Sequence, residues 1–143
     1  MHISSLVDWE IVYRLFLAAA LGSFIGLERS FFKKQAGLRT FALVALGAAL
    51  FSYLGNILEP NASSRVLANI VVGIGFLGAG LIFLHEEKII GLTTAAALWV
   101  TTAIGSAIGV GYYFEGIWAT ILSLIILWAL SYIERLIRKN EIQ

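Results

Sequence analysis

The chain has no cysteine, a single proline, and only one aspartate, Asp8. Without cysteine there can be no disulfide and no thiolate metal site. No aspartate or glutamate falls near the middle of any apolar stretch, where a carboxylate-based proton or cation path normally shows one. Magnesium in particular favours oxygen ligands, typically one or two carboxylates with retained waters. Charge is scarce throughout: charged residues make up 13% of the 143 and hydrophobic residues 59%. A soluble domain carries about a quarter charged residues, so there is too little polar surface here to coat a water-soluble globule. The formal net charge of +1 identifies no partner by itself, and no nucleic acid is expected.

What the chain does have is apolar length. From Val66 to Leu84, nineteen residues pass without a charged side chain. As a helix they reach about 28 Å, close to the hydrocarbon thickness of a bilayer. Mean hydropathy over the whole chain is +0.89. Short polar breaks divide the chain into spans over about 9–27, 41–58, 66–84, 92–112 and 114–133. Glu59-Pro60-Asn61 is a turn signal between the second and third, and holds the only proline. Asn61, Ser63 and Ser64 are candidate caps of the third helix, and Thr93 and Thr94 of the fourth. The start has no basic n-region: Asp8 and Glu10 precede the apolar stretch and the positive cluster follows it. A retained first helix is therefore expected, not a cleaved signal.

Basic residues fall on alternate breaks. Arg29, Lys33, Lys34 and Arg39 follow the first span, Lys88 follows the third, and Arg135, Arg138 and Lys139 close the chain. These are eight of the ten, and such breaks face the cytoplasm. Arg65 lies on the other side, and Arg14 inside the first span, one turn from Glu10 with i,i+4 spacing. The N-terminus is expected outside and the C-terminus inside. Trp9, Trp118, Tyr112 and Tyr113 then form an aromatic belt at the outer surface.

Glycine patterns point to close helix contacts. Gly22 and Gly26 form a small-xxx-small pair, and so do Gly105 and Gly109. Gly73, Gly75, Gly78 and Gly80 crowd the third span. In water each would weaken a helix by roughly 1 kcal/mol relative to alanine; in a membrane they let backbones approach. Gly73-Ile74-Gly75-Phe76-Leu77-Gly78 has the letters of a dinucleotide-binding fingerprint. That chemistry needs a strand-to-helix turn, and no βαβ unit surrounds it here. In the fourth span, Thr94, Leu98, Thr101 and Gly105 share one face, and Thr102, Ser106 and Gly109 another. Two polar faces place that helix among other helices rather than against lipid. His2 and His85 fall on opposite sides and cannot form one metal site within a subunit. At the cytoplasmic boundary Glu28, Arg29 and Arg39 are expected to act as interfacial anchors whose long side chains reach water; the sharper alternative is that Glu28 pairs with Arg39 or Arg29 and fixes the loop.

Four motifs occur in order: Gly26-Leu27-Glu28-Arg29, Ala36-Gly37-Leu38-Arg39-Thr40, Gly73 to Gly80, and Gly91-Leu92-Thr93-Thr94-Ala95-Ala96 ending at Leu98-Trp99. In these the chain resembles the membrane domain of the MgtC/SapB family over nearly its full length. The resemblance implies a multi-pass protein of the bacterial plasma membrane, associated with growth under magnesium limitation and, in pathogens, with survival inside host cells. It also implies regulation of another membrane complex, such as the proton-translocating ATP synthase, or magnesium transport. Asn69, Val72 and Ile90 depart from the family pattern, where glutamine, serine and a basic residue are usual. Many members continue into a soluble domain after the last helix. The sequence stops at Gln143, so regulation through that domain is not expected.

The expected fold is an all-α polytopic membrane bundle of about five helices, forming a single domain over 1–143. The expected function is non-enzymatic adaptation to low magnesium by contact with itself or another membrane complex. The alternative is a magnesium or other cation transporter or channel. Expected partners are the lipid bilayer, a second copy (a dimer favoured) and a complex such as the ATP synthase. No catalytic residue and no cofactor are expected, and metal ligands stay unassigned. Functional candidates are Glu28, Arg29, Arg39, Thr40, Asn69, Thr93, Thr94 and Trp99. Packing candidates are Gly22, Gly26, Gly73, Gly75, Gly78, Gly80, Gly105 and Gly109. For topology, cysteines placed singly at Lys34 and Asn61 label from opposite sides with an impermeant thiol reagent on intact cells. Equal labelling of both overturns the orientation.

Overall fold

A computed structural model describes residues 9–58, 63–85 and 88–140. Five helices in it are long and apolar enough to cross a membrane. They are α1 (Trp9–Phe31), α2 (Leu38–Leu58), α3 (Ser63–Leu81), α4 (Leu92–Val110) and a fifth that starts as α5 (Tyr113–Ile125). The fifth continues through a π-helical segment, Ile126–Leu130, into α6 (Ser131–Asn140). The apolar span of that last rod covers Tyr113–Ile137. The chain is a helical membrane protein, as its composition requires. The Glu59-Pro60-Asn61 turn and His2 lie outside the described residues.

Several boundaries differ from the spans expected: α1 runs on to Phe31, α2 begins at Leu38, and the last apolar span reaches Ile137. The third span stops at Leu81, not Leu84: Phe83–His85 forms β1, which pairs antiparallel with β2 (Lys88–Ile90). The run Phe83-Leu84 is apolar and so continues the span in sequence, but the chain turns back there. Gly91 fixes the exit of this hairpin. Its φ of 88° is left-handed, and a side chain there would run into the Leu81 carbonyl. At the other end of α4, Gly111 has φ 96° and its backbone closes the helix onto Ala107 and Ile108 carbonyls. The fourth span therefore stops at Val110, short of Tyr112. Neither Thr93 nor Thr94 caps α4; its cap residue is Gly91, with no side-chain bond.

α4 is the central element. More than half of its most apolar stretch, 56%, is buried inside the chain, against 6% for α3. The hydroxyls that a buried membrane helix must satisfy turn back on its own carbonyls. Thr101 Oγ1 donates to Ala97 O at 2.9 Å and Thr102 Oγ1 to Leu98 O at 3.0 Å. α2 packs between α1 and α4, and the glycines explain how. A Cβ on Gly22 would lie 2.5 Å from the Phe41 carbonyl oxygen and 2.7 Å from the Ala45 Cβ. A Cβ on Gly26 would meet Leu38 Cα at 2.8 Å, and one on Gly105 or Gly109 would strike the Ala45 or Ala49 backbone. Both small-xxx-small pairs are thus contacts within one chain.

The third-span glycines behave differently. A Cβ at Gly73, Gly75 or Gly80 meets nothing within 4 Å, and at Gly78 only the Ala95 Cβ at 3.8 Å. The close contacts expected there are not made within the chain, because α3 buries only its Ile74 row against the rest. Gly55 makes a contact that the spacing rule misses: a Cβ there would lie 2.8 Å from Val66 Cγ2. Phe51 and Glu59, four residues to either side, are not small, so no small-xxx-small pair marks it.

This contrast is measurable. Gly105→Ala forces α2 and α4 apart and lowers stability by about 1–3 kcal/mol, whereas Gly75→Ala leaves it unchanged. Unfolding in mild detergent distinguishes them, and equal losses for both variants would contradict the packing described.

Candidate functional site

At one end of the bundle three of the four motifs meet. The last turn of α1 carries Glu28 and Arg29, and the chain then folds through Lys33, whose φ is 51°, into α2. Lys34 N donates to Arg29 O at 2.9 Å, closing this connection. Ser30 Oγ accepts the Leu38 amide at 2.9 Å, capping the start of α2. A side chain at Gly37 would meet that Ser30 hydroxyl and displace it from the Leu38 amide. From α4, Thr94 Oγ1 reaches Gln35 Oε1 at 3.3 Å.

Arg29 is the largest fully buried side chain, 2% exposed. Its counter-charge is its neighbour. The guanidinium Nε and Nη2 donate to the two carboxylate oxygens of Glu28, the second at 2.6 Å. The Glu28 side chain is itself only 12% exposed. Neighbouring residues on a helix point about 100° apart, so the long arginine stem must bend round to make this fork. A bidentate pair removed from water is geometrically specific, and losing either partner strands a buried charge. Of the two partners open to Glu28 in sequence, the structure selects Arg29. Arg39 lies exposed in the first turn of α2 and is not the partner.

The remaining candidates are spread out. Thr40 and Thr93 are exposed at the same end of the bundle. Asn69 lies on α3, in a groove of about 610 Å³ between α2 and α3. Trp99 lines a separate cavity of about 360 Å³ on the other side of α3, and is 53% exposed. Among the described residues, no three histidine, cysteine, aspartate or glutamate side chains gather into a metal site.

The opposite end has its own polar cluster. Arg14 pairs with Glu10 as the i,i+4 spacing indicated. The same guanidinium also donates through Nη1 to the Gly109 carbonyl at 2.7 Å and through Nε to the Tyr113 hydroxyl at 3.0 Å. Gly109 is in the last turn of α4, so a cation sits where carbonyls are left without helical partners. Tyr53 of α2 and Tyr113 face the guanidinium at 5.8 Å each. Spacing exposed Glu10 but not Tyr113, which lies 99 residues away in sequence. Gln35, the partner of Thr94, was likewise without a local signal.

This arrangement of motifs has close relatives. The profile of the MgtC family matches residues 15–136. The chain belongs to the MgtC family. It is 41% identical over 144 residues to a protein of Escherichia coli (strain K12) named "Putative magnesium transporter YhiD", covering 92% of this chain and 66% of that one. It is 44% identical over 113 residues to the protein MgtC of Salmonella typhimurium, covering 79% and 49%. Protein SrpB of Synechococcus elongatus is 38% identical over 145 residues, covering 90% and 80%. The chain spans about two thirds of the length of YhiD and about half of MgtC. No solved structure matches it.

The ion pair supplies the test of this end of the bundle. Glu28→Gln leaves Arg29 buried without its counter-charge and costs about 3 kcal/mol, while Arg29→Met in the same chain restores most of that. Arg39→Gln leaves stability unchanged. A double-mutant cycle on detergent unfolding measures the coupling. Zero coupling between positions 28 and 29 refutes a buried pair.

Proposed function

We propose that this MgtC-family protein is a non-enzymatic protein of the bacterial plasma membrane that serves adaptation to low magnesium through helix contact. The partner is a second copy or another membrane complex, the ATP synthase among them. The observation that carries this reading is α3. It is a membrane-spanning helix in whose most apolar stretch only 6% of the residues are buried in its own chain. Val72 and Phe76 project outward, 75% and 83% exposed, beside the open glycines Gly75 and Gly80. Glycines that no neighbour uses permit the close backbone approach on which membrane helices rely.

The polar groups support the same reading. Thr101 and Thr102 are engaged with their own helix, and Thr94 with Gln35. The Glu10–Arg14 and Glu28–Arg29 pairs sit at opposite ends of α1, with no charged side chain between them along that helix. A cation path needs oxygen ligands that line up through the bilayer. The second reading, magnesium transport, rests on the name that YhiD carries.

Purified protein in liposomes separates the two. Contact by helices predicts no magnesium flux above empty vesicles under an imposed gradient. It also predicts a partner, or a second copy, that survives mild extraction and is lost in Gly75→Leu without loss of chain stability. Saturable magnesium uptake by the protein alone promotes transport to first place.

A further inference from the structure

α2 and α3 touch near their connection, where Val66 fills the space beside Gly55, and stand apart along the rest of their length. Between them runs the groove of about 610 Å³, within the size range of ligand sites. Its walls are mostly apolar side chains with two glycines, Gly47 on α2 and Gly73 on α3, and its polar lining is Asn69 of α3 and Thr102 of α4. A Cβ at either glycine meets nothing within 4 Å, so bare backbone keeps the groove wide.

Leu43, Gly47 and Phe51 form one row of α2 at i,i+4 spacing along this wall. One turn further toward the start of α2, the same row reaches Arg39. Arg39 is exposed and makes no ion pair among the described residues. The first turn of α2 contains no acidic residue that could neutralise Arg39. From Arg39 to Phe51 the helix rises about 18 Å, close to half of a hydrocarbon core of about 30 Å. An apolar strip one leaflet long, ending in an unpaired cation, matches an amphiphile with an anionic head.

We propose that the α2–α3 groove holds one acyl chain of an anionic phospholipid whose phosphate sits on Arg39. The lipid fills the space that Gly47 and Gly73 leave open, and Arg39 selects its charge. This assigns a role to Arg39 and to the unused glycines that is independent of any contact made by the outer face of α3.

Native mass spectrometry of the full chain, titrated with phosphatidylglycerol and with phosphatidylcholine, tests this. One phosphatidylglycerol is retained per chain, about fivefold more tightly than phosphatidylcholine, from about 1 kcal/mol for one arginine. Arg39→Gln removes the preference while chain occupancy persists. Gly47→Leu fills the groove and abolishes retention of both lipids, with unchanged unfolding temperature; Gly73→Leu does the same from the opposite wall. Equal retention of the two lipids by the unaltered chain overturns the proposal, as does undiminished binding in both leucine variants. It is also overturned if the unaltered chain is a dimer that Gly47→Leu splits, since the groove then belongs to a second copy.

Discussion

The backbone of α2 at Ala45 is the point on which the bundle depends. Gly22 of α1 lies against its side chain and Gly105 of α4 against its carbonyl. Ala45 is fully buried, as are Phe41 and Ala49 in the same row. In a bilayer no hydrophobic force drives helices together, since lipid is as apolar as leucine. Adhesion must come from many close dispersion contacts, each small, and these fall away with a fraction of an ångström of separation. Glycine on both outer helices and alanine on the middle one bring the three backbones within that range. Larger residues here would not merely strain the interface; they would remove its source of attraction.

Both polar clusters follow from that close approach. Gly109 has two uses: its missing side chain admits Ala49, and its carbonyl accepts Arg14. At the other end, Gly26 brings Leu38 against α1, which places Gly37 against Ser30 and Gln35 within reach of Thr94. Ala36 is buried there. Of the charged side chains, Arg14 bridges α1 to Gly109 of α4 and to Tyr113, while Arg29 is paired within α1. They occupy positions that the glycine contacts create, and each is neutralised on the spot by a glutamate of the same helix. That division leaves α1, α2 and α4 as the closely packed centre with α5 along its side, and α3 attached through Ile74 and through Val66 against Gly55.

Much of this was legible in the sequence, and what was not has physical causes. Span number and approximate limits follow from apolar length alone, and the buried character of α4 from its two hydroxyl faces. The end of α3 was not legible, since a short apolar run reads alike as helix or strand. The glycines show the deeper difficulty. Gly73 and Gly75 are as dense as Gly105 and Gly109 on paper, yet only the latter face a neighbouring backbone. Spacing says which residues share a face, not what lies opposite. The same holds for the charges: Arg29 and Arg39 both lie within reach of Glu28, and only folding of the intervening turn buries one and exposes the other. Arg14 found its local partner by spacing, but Tyr113 only through tertiary structure.

α3 thus meets three different surroundings around its circumference. Ile74 faces α4, Gly73 and Leu77 face the groove, and Val72 and Phe76 face outward. Asn69 lies on the groove side, about six residues into α3 and so about 9 Å from its start. Because α2 and α3 run in opposite directions, that depth is near Phe51, at the far end of the groove from Arg39. Lipid entering beside Arg39 ends its apolar chain there, about half a bilayer away. An amide exposed at that depth favours a hydrogen-bonding neighbour over hydrocarbon. The groove therefore changes character along its length, from apolar side chains on the Arg39 side to the Asn69 amide near the α2–α3 connection. With 6% of its most apolar stretch buried, α3 leaves most of its circumference to whatever surrounds the chain.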